Sequence, residues 1–440
     1  MKRFLDSFFK LTENGTNLRK ECLAGLTSFA AMAYILAVHP SILEAAGMNR
    51  AALVTVTALS AAVGCFLMAG LANYPIAMAP GMGMNAFFAL TVCVGMGVPW
   101  QGALGIVFWN GVIFLFLSVS GLREKVIESV PEGLKLGVQA GIGFFIAFIG
   151  LRNAGIVVDH PATLVGLGNM KTAASWLALG GIGLTGVFLA RRVPGGVLIS
   201  IGVVSVLGCF VSAGEGVVTA LPSKWVSMPA SPVGTSFALD LSYPFLNWRT
   251  AWPLVFAFLF VDLFDSMGTL MGVSRSAGLL DSNGRLPKMN RALLADAGAT
   301  ISGALLGTSP VTSYIESAAG VKAGGRTGLT SIVVGLCFIG ALFFTPIILA
   351  LPALATGAAL VVIGLTMVEG MRHLAYDDAC QFLPAILTML AMPLVFSISD
   401  GIGLGFLTYV SLMLGTGRGR SVKPLTYVVA GLFGLRYLFL

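Results

Sequence analysis

Tyr74-Pro-Ile-Ala-Met-Ala-Pro80-Gly-Met-Gly-Met-Asn85-Ala-Phe-Phe88 is the stretch on which the reading of this chain turns. Its flanks are apolar, yet Pro80, Gly81 and Gly83 break it and Asn85 follows. In a bilayer, irregular backbone is tolerated only where it is buried in protein or lines a cavity. The composition decides that a bilayer is the right solvent. Of 440 residues, 57% are hydrophobic and 10% charged, and mean hydropathy is +0.92. A soluble domain carries roughly 25% charged residues, so a water-soluble globular enzyme is excluded, and so is a disordered chain. The stretch reads as an extended segment leading into a half-helix whose N-terminal N–H groups face a central site. Asn85 brings donors and acceptors there. The competing reading is a tight helix crossing with Asn85 as packing glue.

Working outward, apolar runs recur to the end of the chain. The predicted spans are 24–43, 51–73, 80–97, 99–120, 134–155, 172–190 and 194–213. After a mixed loop, 214–249, come 250–272, 291–307, 309–324, 327–350, 353–370, 380–399 and 401–416. A final apolar piece, 425–440, is either a fifteenth span or an interfacial helix. About 20 apolar residues cross a bilayer. The N-terminal tail shows no small-residue cleavage site before a polar domain, so no signal peptide is expected to be removed.

The basic residues orient this list. With the N-terminus in the cytoplasm, 20 of the 26 Lys and Arg fall on the cytoplasmic side, including Lys10, Arg123, Lys125, Arg275, Arg285 and Arg418. Only Arg50, Arg152, Lys171, Lys224 and Arg249 fall opposite, with Arg436 in the ambiguous tail. The net charge of +7 therefore orients a membrane protein and calls for no nucleic-acid partner. Six scattered cysteines and three distant histidines suggest neither a disulfide framework nor a zinc site. No metal or cofactor is expected.

An internal repeat is faintly visible. Asn49-Arg-Ala-Ala-Leu53 opens the second span and Asn290-Arg-Ala-Leu-Leu294 the ninth, and Pro131 and Pro352 precede the fifth and twelfth. Two halves of seven spans each turn the second half upside down, as in secondary transporters. The expected fold is all-α and polytopic: 14 spans as a 7+7 inverted repeat, with half-helices in spans 3 and 10.

Polar groups at membrane depth are functional candidates by default. Gly307-Thr-Ser-Pro-Val-Thr-Ser-Tyr-Ile-Glu316-Ser-Ala-Ala-Gly320 puts hydroxyls and one carboxylate where the second half matches Asn85. In Phe260-Val-Asp-Leu-Phe-Asp265-Ser-Met-Gly-Thr269, Asp262, Asp265 and Thr269 share one helical face. Asp296, Glu369, Asp400 and Glu44 lie near predicted span ends or hairpins and read as structural or interfacial. Phe29, Phe87 and Phe88 are candidates for stacking on a planar ligand.

These residues resemble a known family. Ala79-Pro-Gly-Met-Gly-Met-Asn85, Phe260-Val-Asp-Leu-Phe-Asp265, Thr312-Ser-Tyr-Ile-Glu316 and Ala323-Gly-Gly-Arg-Thr-Gly-Leu329 look like the AzgA-like purine permeases of the nucleobase–ascorbate transporter superfamily. So does Gly25-Leu-Thr-Ser-Phe-Ala-Ala-Met-Ala-Tyr-Ile-Leu36. The resemblance covers essentially the whole chain. It implies a core domain of 24–120 and 250–350, a gate domain of 134–213 and 353–416, a cytoplasmic tail at 1–23 and a C-terminal segment at 417–440. It implies proton-coupled uptake of adenine, guanine or hypoxanthine across the cytoplasmic membrane, and a homodimer. The substrate-binding set it points to is Asn85, Asp265, Thr269, Glu316 and Ser317, with Phe29 and Phe87 beside it. Glu316 is expected to accept adjacent N–H groups of the base. Asp265 is the proton-linked group, since burial favours the neutral carboxyl, or the two roles are exchanged. The Glu-His pairing typical of the uracil branch is missing from span 8, and Pro310 and Ser313 depart mildly from the common wording. The alternatives are an anion carrier of the same fold and an intramembrane enzyme using Asp262 and Asp265 as a dyad.

Overall fold

The computed structural model describes residues 2–121, 129–213, 216–281 and 286–439. Arg123, Lys125 and Arg285 of the charge count lie outside them. Among the described residues, nine helices are long and apolar enough to cross a membrane, and shorter apolar helices such as Met82–Gly95 and Ala379–Val395 accompany them. The helices follow the predicted spans closely: Arg50–Leu71, Trp100–Ser120, Ala173–Ala190 and Ile398–Gly415 differ from the sequence reading by a few residues at most. Span 1 is two helices, Leu18–Met32 and Ile35–Leu43, broken at Ala33–Tyr34. Span 3 is a short strand, Met78–Pro80, then a helix, Met82–Ala86, that widens into a π-helix over Phe87–Gly95. Span 10 repeats the plan with a strand, Val311–Ser313, and a helix, Ser317–Lys322.

The chain forms two compact units, residues 1–119 with 150–359, and residues 120–149 with 360–440. In the first unit the two strands pair antiparallel, Ala79 opposite Thr312. The pairing continues past the strands, where Gly81 N–H donates to Pro310 O and Tyr314 N–H to Ala77 O, each 2.9 Å. Backbone polar groups left bare in an apolar interior are costly. The two broken spans satisfy each other. Glycines make room for this crossing. A Cβ on Gly303 would sit 2.7 Å from Val311 Cγ2, and one on Gly64 would sit 3.0 Å from Met78 Cβ.

Span 2 shows how the sequence sets these positions. Asn49 caps it by accepting the Ala52 N–H. Asn290, its apparent counterpart, lies inside the helix Met289–Leu306 and does not cap it. Beyond the other end of span 2, Asn73 takes a left-handed conformation with φ 57°, which Asn tolerates better than most residues. Its amide donates to Phe9 O and accepts from Gly328 N–H. The N-terminal helix Lys2–Phe9 and the start of span 11 are thereby joined at one point.

Glu21 makes the second joint. Fully buried in span 1, it accepts from the N–H groups of Arg326, Thr327 and Thr330 and from the Thr330 hydroxyl. This carboxylate caps span 11 and gives the Gly324-Gly325-Arg326-Thr327 motif its physical meaning. Glu21→Ala is expected to cost about 3 kcal/mol of stability, because several buried donors lose their acceptor together. Glu21→Gln, which keeps one carbonyl oxygen, is expected to cost less than half of that. Thermal melting of the detergent-solubilised variants checks the order; equal losses would show that the oxygen and shape kept by Gln contribute nothing and that the lost charge carries the effect.

In the second unit, Ala379–Val395 and Ile398–Gly415 pack as a hairpin. The C-terminal piece is a helix, Pro424–Phe439, lying along the latter. Arg436 reaches Asp400 at 3.2 Å and donates to Ser399 Oγ. Asp400 is therefore a paired residue in the first turn of span 14 and not a hairpin residue.

Candidate functional site

Asp262, Asp265, Asp296 and Glu316 come together in the first unit, each within electrostatic reach of another of the four. Helix geometry divides them into two groups. Span 8 is one helix, Trp248–Ala277. On it, residues four apart lie on the same stripe. Asp262 and Ser266 form a fully buried stripe, while Asp265 and Thr269 lie beside it, Asp265 partly exposed and Thr269 buried.

The buried stripe faces span 9 and the strand of span 10. Asp262 accepts from Asn110 Nδ2 at 3.3 Å and from Thr300 Oγ1 at 3.4 Å. Ser266 Oγ lies against Asp296 Oδ2, 2.8 Å from Thr312 Oγ1 and 3.5 Å from Asp262 Oδ1. Asp296 Oδ1 accepts from Ser313 Oγ at 3.2 Å. Asp296 is thus fully buried in the network, although its place in the sequence suggested a span end. No ion pair links a Lys or Arg to Asp262 or Asp296 among the described residues. The network fastens spans 4, 8 and 9 to the strand pair.

The other pole is more open. Glu316 sits at the N-cap of Ser317–Lys322 but does not cap it with its side chain. Its Oε1 accepts instead from the Tyr34 hydroxyl at 2.6 Å. Tyr34 stands at the break in span 1, and Tyr314, whose hydroxyl donates to Pro80 O, is also within electrostatic reach of Glu316. Asp265 has Glu316 as its electrostatic neighbour and, among the described residues, no hydrogen-bond donor or cation of its own. Two partly exposed carboxyls, one anchored and one unpartnered, make a pair suited to accept N–H groups.

The remaining candidates divide. Asn85 is fully buried on the half-helix of span 3, bonded through Nδ2 to His39 Nδ1 at 3.1 Å. The Ser317 hydroxyl is fully buried and accepts the Ala77 N–H, which locks span 10 to span 3. Phe87 and Phe88 are fully buried, and Phe87 packs at 4.7 Å against Phe258. Phe29 is partly exposed and meets Phe338 edge-on at 5.2 Å. Tyr34, His39, Asn110 and Ser266 were not among the sequence candidates. A lone polar residue within an apolar span was the available signal for His39 and Asn110.

Two inverted halves of seven spans, joined where their broken members cross, define a multi-pass membrane transporter architecture. A solved structure with this fold, the transmembrane domain of a cyanobacterium bicarbonate transporter BicA, matches with TM-score 0.64 at 14% identity, covering 88% of this chain and 97% of that one. The chain belongs to the Permease family, Xan_ur_permease, whose model matches residues 19–431. It is 40% identical to the adenine permease AdeP of Escherichia coli, over 99% of this chain and 96% of that protein. It is 41% identical to the guanine/hypoxanthine permease PbuG of Bacillus subtilis, over 99% of this chain and 100% of that one. The resemblance read from the motifs thus stands, and family membership makes the protein a permease and not an intramembrane enzyme.

Proposed function

We propose that this permease imports purine nucleobases across the cytoplasmic membrane together with a proton, its N-terminus in the cytoplasm. The observation that carries the reading is the Asp265–Glu316 pair, partly exposed beside a fully buried polar network. A purine is flat, uncharged near neutral pH and edged with N–H donors and ring-nitrogen acceptors. A carboxylate accepts two adjacent N–H groups, each charge-assisted bond contributing about 1.5–3 kcal/mol. Glu316, steadied by Tyr34, takes this role. Two neighbouring carboxylates at membrane depth repel each other, and one proton relieves the repulsion. Asp265, with no protein donor among the described residues, is the group that takes that proton and releases it inside. One charge moving down the membrane potential supplies about 2.3 kcal/mol per 100 mV, enough for about fiftyfold accumulation. Four neighbouring carboxyls with no cationic partner among the described residues weigh against an anion carrier. A core of spans 1–4 and 8–11 moving against a gate of spans 5–7 and 12–14 gives alternating access. Assembly as a homodimer belongs to the same reading, and the mass of the solubilised protein checks it.

The test is uptake of labelled adenine and hypoxanthine by cells that lack purine permeases. Expression of this protein should confer concentrative uptake of at least one base, competed by unlabelled purines but not by uracil. A proton ionophore should abolish accumulation while leaving exchange of internal for external base. Accumulation that survives the ionophore would remove proton coupling from the proposal; competition by uracil would remove the purine preference.

A further inference from the structure

His39, Asn85 and Thr308 form a second polar group in the first unit, and all three are fully buried. With the amide nitrogen of Asn85 toward the ring, their hydrogen bonds admit one arrangement of protons. The amide nitrogen of Asn85 can only donate. It lies 3.1 Å from His39 Nδ1, so Nδ1 must accept, and the ring proton sits on Nε2. Nε2 in turn lies 2.7 Å from Thr308 Oγ1, which receives that proton. The second hydrogen of the Asn85 amide is directed at Met82 Sδ, 3.8 Å away. Both donors of the amide are therefore engaged. Its carbonyl oxygen is buried with no hydrogen-bond partner among the described residues. Flipping the amide would keep a bond to the ring, the oxygen then accepting from Nδ1–H, but would leave two N–H groups bare in place of one oxygen, so the present orientation leaves fewer groups unsatisfied. A buried acceptor without a donor is an exception among native structures and asks for an explanation. A ligand N–H supplies one.

We propose that His39 is a positioning residue that holds the Asn85 amide with its carbonyl oxygen, not its amine, presented to an N–H of the transported base. This rests on the reading of Asn85 as a substrate-binding residue given above. Thr308 fixes the imidazole tautomer and His39 fixes the amide. Asn85 then discriminates in favour of heterocycles that offer a donor at that edge.

The experiment is a double-mutant cycle on hypoxanthine uptake, with membrane levels measured for every variant. Asn85→Ala is expected to raise KM about tenfold. His39→Leu, which removes the acceptor for Nδ2, is expected to raise KM by a similar factor with the maximal rate within about twofold. In the Asn85→Ala background, His39→Leu should add nothing, since its effect passes through the missing amide. His39→Asn, which can place an oxygen near the Nδ1 position, should restore KM to within about threefold of the unaltered protein. Where His39→Leu does not reach the membrane, Thr308→Val decides: KM is expected to rise about threefold, and the rise should vanish in the Asn85→Ala background. Independent, additive losses would overturn the proposal and leave His39 a packing residue, and so would an unchanged KM in His39→Leu. An unchanged KM in Asn85→Ala would instead remove Asn85 from the binding site, which is a failure of the underlying assignment and not of the tautomer argument.

Discussion

Cells carrying Glu316→Gln are expected to accumulate at least about 100-fold less hypoxanthine than cells carrying the unaltered protein. The arithmetic is short. Two charge-assisted bonds at about 1.5–3 kcal/mol each sum to about 3–6 kcal/mol, and every 1.4 kcal/mol is a factor of ten. Glutamine retains one acceptor oxygen but places an N–H₂ where the base offers its own N–H, so part of the contact becomes a donor facing a donor. The Tyr34 hydroxyl, 2.6 Å from Oε1 in the unaltered protein, remains to hold the surviving oxygen. Asp265→Asn is expected to lose accumulation to a similar extent by a different route. If Asp265 carries the proton, its amide should still permit exchange of base across the membrane but not uptake against a gradient. Exchange assays on vesicles separate the two variants: Glu316→Gln should fail in both modes and Asp265→Asn in net accumulation alone. The opposite pattern would swap the roles, and wild-type uptake in both variants at normal membrane levels would end the site assignment.

The second large effect is on stability. Asp296→Ala should lower the unfolding free energy by about 2–6 kcal/mol, at about 1–3 kcal/mol for each buried hydroxyl left without its acceptor. Two buried hydroxyls, Ser266 and Ser313, lose their acceptor at once. Asp296→Asn keeps the volume and can still accept at one atom, and the hydroxyls can accept from its amine. Its expected cost is about 1–2 kcal/mol. Melting of purified protein in detergent ranks the three. Equal losses in the Ala and Asn variants would mean that neither the retained volume nor the retained acceptor matters at Asp296, and that only the lost carboxylate does.

The spans were legible because a bilayer imposes length and hydropathy directly, and the breaks in spans 3 and 10 were legible because Pro80, Gly81 and Pro310 disrupt otherwise apolar runs. The break at Ala33–Tyr34 was not, since neither residue perturbs a helix by itself. Asp265 and Glu316 stood out as carboxyls at membrane depth. Asp296 did not, because span 9 is rich in Ala and Gly and buried along much of its length, so its polar residue stands in no contrasting pattern. Its significance arises from Ser266 and Ser313, 30 and 17 residues away. The aromatic candidates were read from adjacency alone. Phe87 and Phe88 adjoin the broken segment, yet helical geometry turns both into the core. Adjacency in sequence carried no information about direction.

The pairing of Met78–Pro80 with Val311–Ser313 also bears on how the protein is made. Tyr314 leaves the ribosome 234 residues after Pro80, whose carbonyl it will engage. At ~5–20 residues per second the interval is roughly 10–50 s. For that time the early segment has no mate in an apolar setting. The amino-terminal half can thread the bilayer but cannot complete its own architecture; a nascent chain arrested before the tenth crossing should remain a client of the insertion machinery, open to proteolysis until its counterpart arrives.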